Sequence, residues 1–414
     1  MGDATVDTTW WTDARFGLFI HWGIYAAAAR HEWVKHRERL TDAQYRRYFD
    51  HFEPDLFDPR EWAREARAAG MRYFVLTTKH HDGFCLWDSD LTDYKVTNTP
   101  WGRDLVGPVV EAFRAEGLRV GFYHSLVDWH HPDFPVDGLH PQRDDEAFRA
   151  AAAGRDVGRY ADYLHGQVRE LLTRYGTVDY LFFDFTYPDA TWGGKGAADW
   201  RAEELLAMVR ELQPAALVND RLGIPGDFVT PEQVQPAEPP RRDGRPVPWE
   251  ACQTLNGSWG YDRDNRDYKT AGQVARMLVD GVAKGGNLLL NVGPTGRGSL
   301  DPESLRILRE VGAWMALHER SIRGCGASPH TPPPDCRYTQ RGDRLYLHVL
   351  AWPFRHLHLP GLAGRVGHAQ LLHDASEVCT EVSEPDTLTL VLPTIAPPVA
   401  VPVVELFLQG SLEP

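Results

Sequence analysis

Eight short apolar runs recur along the chain with helix-like stretches between most of them, and this alternation restricts the fold more than any other feature. The runs cover residues 16–20, 72–78, 118–123, 179–184, 216–218, 227–230, 251–255 and 287–292. Helical periodicity occupies 60–69, 105–116, 158–175, 200–212, 271–283 and 302–317. Short apolar runs bounded by turn residues read as strands buried on both faces. Gly70, Gly117 and Gly176 follow three of the helical stretches, where a left-handed C-cap favours glycine. Repeated strand–helix units imply parallel strands joined by right-handed crossovers. Eight of them predict a closed α/β (β/α)8 TIM-like barrel rather than an open sheet. No Gly-x-Gly-x-x-Gly follows the first run, which argues against a dinucleotide-binding sheet.

The texture changes after about residue 323. Residues 331–334 read as a linker or a rigid loop. Beyond them, 344–350, 369–372, 387–392 and 403–408 alternate at period two between Gly, Pro and Asp turns, which predicts a small antiparallel β-sandwich. The expected division is a barrel over 1–327 and a β-domain over 328–414. A chain of 414 residues accommodates both.

Composition removes several classes of function. A net charge of −14 argues against nucleic-acid partners and anionic membrane surfaces. No run approaches the ~20 apolar residues that span a bilayer. The first nine residues carry neither a basic nor an apolar signal region, so a cytoplasmic location is expected. Five scattered cysteines without Cys-x-x-Cys spacing argue against a disulfide framework or a structural zinc site. Oligomeric state is not readable, and a homo-oligomer is left open. The 14 tryptophans often adjoin His or acidic residues, as at His21-Trp22, Glu32-Trp33 and Ser258-Trp259. Core packing accounts for most aromatics, but rings beside polar groups also suit a sugar, which presents C–H faces and hydroxyls together.

Polar residues close nearly every predicted strand: His21, His80, His81, His124, Asp184, Arg221 and Glu232. In a barrel these ends converge on one face. A single strand-end His is more often a hydrogen-bonded structural residue than a catalyst; seven aligned ends are harder to set aside. His80 and His81 are expected to point to opposite faces of an extended strand, which disfavours joint metal chelation, and no metal is expected. No Gly-x-Ser-x-Gly elbow is present, and Lys284-Gly285-Gly286-Asn287 lacks phosphate-loop spacing. The carboxylates remain. Asp184 follows the buried run Tyr180-Leu181-Phe182-Phe183, where it reads equally as a strand-end salt bridge or as a working carboxylate. Glu232 is a partner for it across the mouth. Glu250 is a second one, otherwise a solvated or Arg-paired strand start.

At these residues the chain resembles the retaining α-L-fucosidase family. The resemblance rests on Phe19-Ile20-His21-Trp22-Gly23, Glu32-Trp33, Thr78-Lys79-His80-His81-Asp82-Gly83-Phe84, Asp128-Trp129-His130, Phe183-Asp184, Asn219-Asp220-Arg221, Thr230-Pro231-Glu232, Trp249-Glu250, Ser258-Trp259-Gly260-Tyr261 and the stretch 284–294. It runs in the family's order from about residue 10 to 325. It implies hydrolysis of terminal α-L-fucosides on fucosylated oligosaccharides or glycoconjugates, with net retention and no cofactor. Asp184 falls on the family's nucleophile. Glu232 falls on the acid/base of some members, a position that varies within the family, so Glu250 stays open. His21, Glu32, Trp33, His80, His81, His124 and Arg221 fall on sugar-contacting positions, and Trp259 joins them. Phe182 and Phe183 stand where a Trp often precedes the nucleophile, so a ring is kept and an indole N–H is lost. A galactosidase-type specificity and a fucose-binding lectin are the competing readings; a lectin would dispense with one carboxylate. Arg221 and the histidines are expected to keep Asp184 ionised, and apolar neighbours or the Asp184 charge to favour a protonated Glu232.

Overall fold

The computed structural model describes residues 6–409, so the ends of both expected units, 1–5 and 410–414, lie outside the described residues. The first of these segments holds most of the stretch from which location was read. The N-terminal part is built on β1 (Phe16–Ile20), β2 (Tyr73–Lys79), β3 (Arg119–Ser125), β4 (Tyr180–Asp184) and β5 (Leu217–Val218). A two-residue-per-strand hairpin follows, β6 (Arg241–Arg242) and β7 (Arg245–Pro246), then β8 (Glu250–Thr254) and β9 (Asn287–Val292). All but the hairpin form one parallel sheet in the order β5-β4-β3-β2-β1-β9-β8.

The expected sixth strand, 227–230, does not form as one. Its segment makes isolated parallel bridges instead, Phe228 to Asn219 beyond β5, and Val229 to Trp249 and Glu232 to Cys252 along β8. Gly226 explains the tight approach: a Cβ there would lie 2.3 Å from the Asn219 carbonyl oxygen. The regular sheet therefore has seven strands, curled so that both edges face this segment.

Helices cover the outer face at Pro59–Ala68, Val106–Ala115, Val157–Arg174, Ala202–Leu212, Ala271–Ala283 and Pro302–His318, within about two residues of expectation. Two of them start at an Asp-Pro pair. Asp58 accepts from the Arg60 and Glu61 amides, and Asp301 from Glu303 and Ser304, while Pro59 and Pro302 occupy N1, where no amide is needed. Outward strand residues such as Phe74, Leu76, Phe122 and Phe183 join the helices in the main core. Inward ones form a separate cluster with Trp11 at its base: Phe19, Tyr73, Val75, Tyr123, Tyr180, Phe182 and Leu289. Gly17 makes room there, since a Cβ would fall 2.3 Å from the Tyr73 ring.

Eight further strands follow: β10 (Gly326–Ala327), β11 (Cys336–Arg341), β12 (Arg344–Val349), β13 (His356–Pro360), β14 (Val366–Leu371), β15 (Cys379–Glu384), β16 (Thr387–Val391) and β17 (Val403–Leu408). They make two antiparallel sheets, β10-β11-β12-β17-β14 and β13-β16-β15, around a core that includes Leu345, Leu359, Leu390 and Leu406. Residues 331–334 join β10 to β11 within one sheet, so they are a loop of that sheet. No described helix is long and apolar enough to cross a membrane.

Candidate active site

A cavity of about 630 Å³ opens at the C-terminal ends of the parallel strands. Asp184 is the last residue of β4 and projects into it. Its Oδ2 accepts from Tyr123 Oη at 2.9 Å, and its Oδ1 from Arg221 Nη1 at 2.8 Å. The same Nη1 donates to Glu232 Oε2 at 2.7 Å. Two carboxylate oxygens lying 2.8 and 2.7 Å from one nitrogen are at most 5.5 Å apart. Arg221 is itself held by Thr230, whose Oγ1 accepts from Nε at 2.8 Å and whose carbonyl accepts from Nη2 at 3.1 Å.

Burial pushes the Asp184 carboxyl up, but Arg221, His81 and the Tyr123 hydroxyl outweigh it and hold its pKa below the usual carboxylate value. Burial also works against the Arg221 charge, and the facing Asp184 and Glu232 carboxylates keep it raised. The Glu232 side chain is 42% exposed and ion-paired, so the apolar surroundings expected for it are absent.

The histidines form the opposite wall. Asn291 is oriented by donating from Nδ2 to the Trp259 carbonyl at 2.7 Å, so His21 donates from Nδ1 to Asn291 Oδ1, also at 2.7 Å. His81 Nδ1 pairs with Ser125 Oγ at 2.6 Å. His80 and His81 both line the cavity, with ring centroids 4.1 Å apart, against the expectation that they diverge. The reason is that β2 ends at Lys79 and the chain turns, with Gly83 N–H returning to the His80 carbonyl. Burial pushes His21 and His81 down to about 4 and His80 well below its ordinary value. Near neutrality all three rings are uncharged, and His21, its proton fixed on Nδ1, presents Nε2 as an acceptor for a hydroxyl. Among the described residues no group of three or more His, Cys, Asp or Glu is placed to hold a metal ion.

Rings complete the wall. Trp33, Phe182 and Trp259 line the cavity as expected, joined by Phe19, Tyr123 and Phe185. The Arg221 guanidinium lies 4.9 Å from the Phe182 ring centroid. Phe183, by contrast, points outward into the main core. Glu32 sits fully buried behind the wall: its Oε2 accepts from Gly260 N–H at 2.8 Å. Its Oε1 is 3.0 Å from His31 Nδ1, but that nitrogen already accepts from Trp33 N–H at 3.2 Å, which leaves Oε1 without a donor.

Two expected residues are elsewhere. His124 points away from the cavity, between Thr78 Oγ1 at 3.0 Å and the Trp87 ring. Strand parity is the cause: β3 runs on to Ser125, and Tyr123, in register with inward Phe182, takes the inward position. Counting back in twos from Asp184 and across the register identifies Tyr123, the residue missed. Glu250 is the first residue of β8, at the other end of the sheet, fully buried. It accepts from Tyr180 Oη at 2.6 Å, from Trp11 Nε1 at 3.1 Å and from Tyr73 Oη. It does not line the cavity, and its carboxylate is taken up by Trp11, Tyr73 and Tyr180, so it does not pair with Asp184.

Two carboxylates this close, on an open cavity walled by rings and neutral imidazoles, have the spacing that retaining glycosidic hydrolysis uses, ~5–5.5 Å; the molecule is a glycoside hydrolase. The sequence profile of the family described as alpha-L-fucosidase matches residues 3–320. Human tissue alpha-L-fucosidase is 28% identical over 373 residues, 83% of this chain and 76% of its own. The solved structure of alpha-L-fucosidase isoenzyme 1 from Paenibacillus thiaminolyticus is 50% identical, with a TM-score of 0.93 over 97% of this chain and 99% of that one. A GH29 alpha-L-fucosidase from Bacteroides thetaiotaomicron, trapped as a covalent intermediate with 2-fluoro-fucosyl fluoride, aligns at 29% identity and a TM-score of 0.86 over 99% and 97%. The chain belongs to the α-L-fucosidase family.

Proposed function

We propose that the protein hydrolyses terminal α-L-fucosyl residues of oligosaccharides or glycoconjugates with net retention, Asp184 acting as nucleophile and Glu232 as acid/base. The observation that carries this is the single Arg221 nitrogen shared by both carboxylates, which limits their separation to the retaining range. Asp184 attacks the anomeric carbon while Glu232 delivers a proton to the departing oxygen, giving a fucosyl ester. Ester formation removes the Asp184 charge. Glu232 then takes a proton from the incoming water, which attacks the anomeric carbon and releases Asp184 as its carboxylate. His21, His80 and His81 meet the sugar hydroxyls, Trp33 offers a ring face, and Glu32 Oε1 is a spare buried acceptor. Phe19 packs 5.1 Å from Phe182 and 5.8 Å from Trp259, an apolar corner suited to the C6 methyl of fucose rather than the hydroxymethyl of galactose. A lectin has no use for the paired carboxylates.

The same reading extends to the scaffold. Segment 227–232 serves as the eighth stave of a (β/α)8 barrel, supported by its bridges to both sheet edges. A catalytic unit carries a β-sandwich that begins at β10 rather than at the expected 327/328 boundary, because β10 pairs with β11. A cytoplasmic location is supported by five free thiols.

The test is an aryl α-L-fucoside assayed beside the matching galactoside. The fucoside is expected to be cleaved and the galactoside not. Asp184→Ala is expected to lose turnover by about 10³-fold or more, with azide restoring it as β-fucosyl azide. Near-parental turnover by that variant would refute the assignment.

A further inference from the structure

A second cavity, of about 400 Å³, lies at the opposite end of the parallel sheet. Arg72 immediately precedes β2 and Arg119 opens β3, whereas Asp184 closes β4. Arg323 follows the last helix of the sheet's cover, and Arg341 ends β11. Trp10 and Asp13, from the helix Thr9–Ala14, complete the wall. Four guanidiniums thus line this space against one lining carboxylate.

The nearby acids do not balance them. Glu319 is shared, 2.9 Å from Arg323 and 3.7 Å from Arg72. Asp179 pairs with Arg119 at 2.7 Å. Arg341 has no carboxylate within 4.0 Å among the described residues; its Nη1 donates to the Arg323 carbonyl at 3.4 Å. Arg323 places Nη2 on the Gly70 carbonyl at 3.1 Å, while its buried Nε–H has no acceptor among the described residues. Burial, and after it the neighbouring Arg67, push Arg72 down to about 10, with Glu319 opposing. The Arg119 guanidinium is 4.7 Å from the Trp10 ring centroid, so an indole borders the charged floor. An ordinary solvated arginine surface would be convex and paired; this one is concave and under-paired.

We propose that this cavity is a binding site for a phosphate-type oxyanion, held by Arg323 and Arg341 with Arg72 and Arg119 around it. Planar guanidinium forks match tetrahedral oxyanions bidentately, and four of them converge here. The volume exceeds that of a bare ion, and Trp10 provides a face for a sugar ring bearing the anion. The shared chemistry is the phosphoryl group, either free or esterified to a hexose.

Binding is read on the full chain by titration calorimetry and by thermal unfolding, with inorganic phosphate, a hexose phosphate and sodium chloride at matched ionic strength. Phosphate is expected to bind and to raise the melting temperature where chloride does not. Arg341→Gln, at an exposed position, is expected to weaken binding about ten-fold or more while turnover of an aryl fucoside stays parental. Arg323→Gln gives a second, independent loss. Tighter binding of the hexose phosphate assigns the esterified ligand, and equal affinity the free anion. Equal responses of the parent to phosphate and chloride, or parental phosphate binding by both variants, would overturn the proposal.

Discussion

Arg221 Nη1 serves two carboxylates at once, and Tyr123 supplies the donor that belongs to Asp184 alone. A hydrogen bond to an ionised group stabilises the charged form by ~1.5–3 kcal/mol. Tyr123→Phe removes that donor and keeps the ring. Asp184 then ionises at higher pH, so the acid limb of kcat/KM is expected to move up by roughly one pH unit, with turnover falling about 10-fold or more. A pH–rate profile superimposable on the parent's would show that the hydroxyl does not act on Asp184. The residue just beyond β4 stores strain. Phe185 sits at φ +82°, a left-handed conformation that a bulky side chain seldom adopts, with its ring 4.7 Å from His81 and 5.2 Å from Trp33. Phe185→Gly and Phe185→Ala lose the same ring, yet the glycine variant is expected to be more stable by about 1 kcal/mol in denaturant unfolding. Equal stabilities would mean that the backbone is not strained there.

At the scale of the element, strand parity decides what each side chain meets. On β4, Tyr180, Phe182 and Asp184 point inward while Leu181 and Phe183 join the outer core. The same alternation turns His124 out and Tyr123 in. At the other end, Glu250 opens β8 inside a cage of Tyr73, Tyr180 and Trp11. Burial pushes its pKa up to about 7, against the donors around it. Between its ordinary value of 4.5 and 7 the folded protein therefore holds a proton that the unfolded chain has lost, and stability drains away as pH rises through that window. Glu250→Gln removes the effect. Its unfolding free energy minus the parent's is expected to rise by about 3 kcal/mol across the window, while aryl-fucoside turnover stays within a few-fold. A flat difference, or a collapse of turnover, would contradict this placement. The apolar runs and the helix caps were legible in the sequence because they depend on neighbours within a few residues. The parity of β3 was not, because the run 118–123 ends two residues before the strand does.

Across the whole molecule, β17 couples the two cores. Val403 belongs to the main core, with Tyr346, Leu372 and Val401, while Val404, Leu406 and Leu408 fill the sandwich core. Trp314 Nε1 donates to the Val401 carbonyl at 3.0 Å, and Arg337 Nε to Asp280 Oδ1 at 2.7 Å. Both ties join a cover helix to the antiparallel part. Val403→Ala and Val404→Ala each leave a cavity costing about 2 kcal/mol, one in each core. Both are expected to shift one common unfolding transition in calorimetry. Two transitions, each moved by one variant alone, would mean that the cores unfold independently. Four of the eight antiparallel strands, β10, β11, β13 and β15, went unread, and β15, with every position exposed, presents no buried face to read.

Local pattern alone determined the parallel strands, the helices between them, and Asp184 at a strand end facing the mouth, because hydrophobic periodicity and turn chemistry act over short stretches of chain. Tertiary structure decided which acid Asp184 meets, that Tyr123 rather than His124 attends it, and that 227–232 bridges the sheet edges without forming a strand. Those outcomes depend on register and on contacts between residues tens to hundreds of positions apart, and no local pattern encodes them.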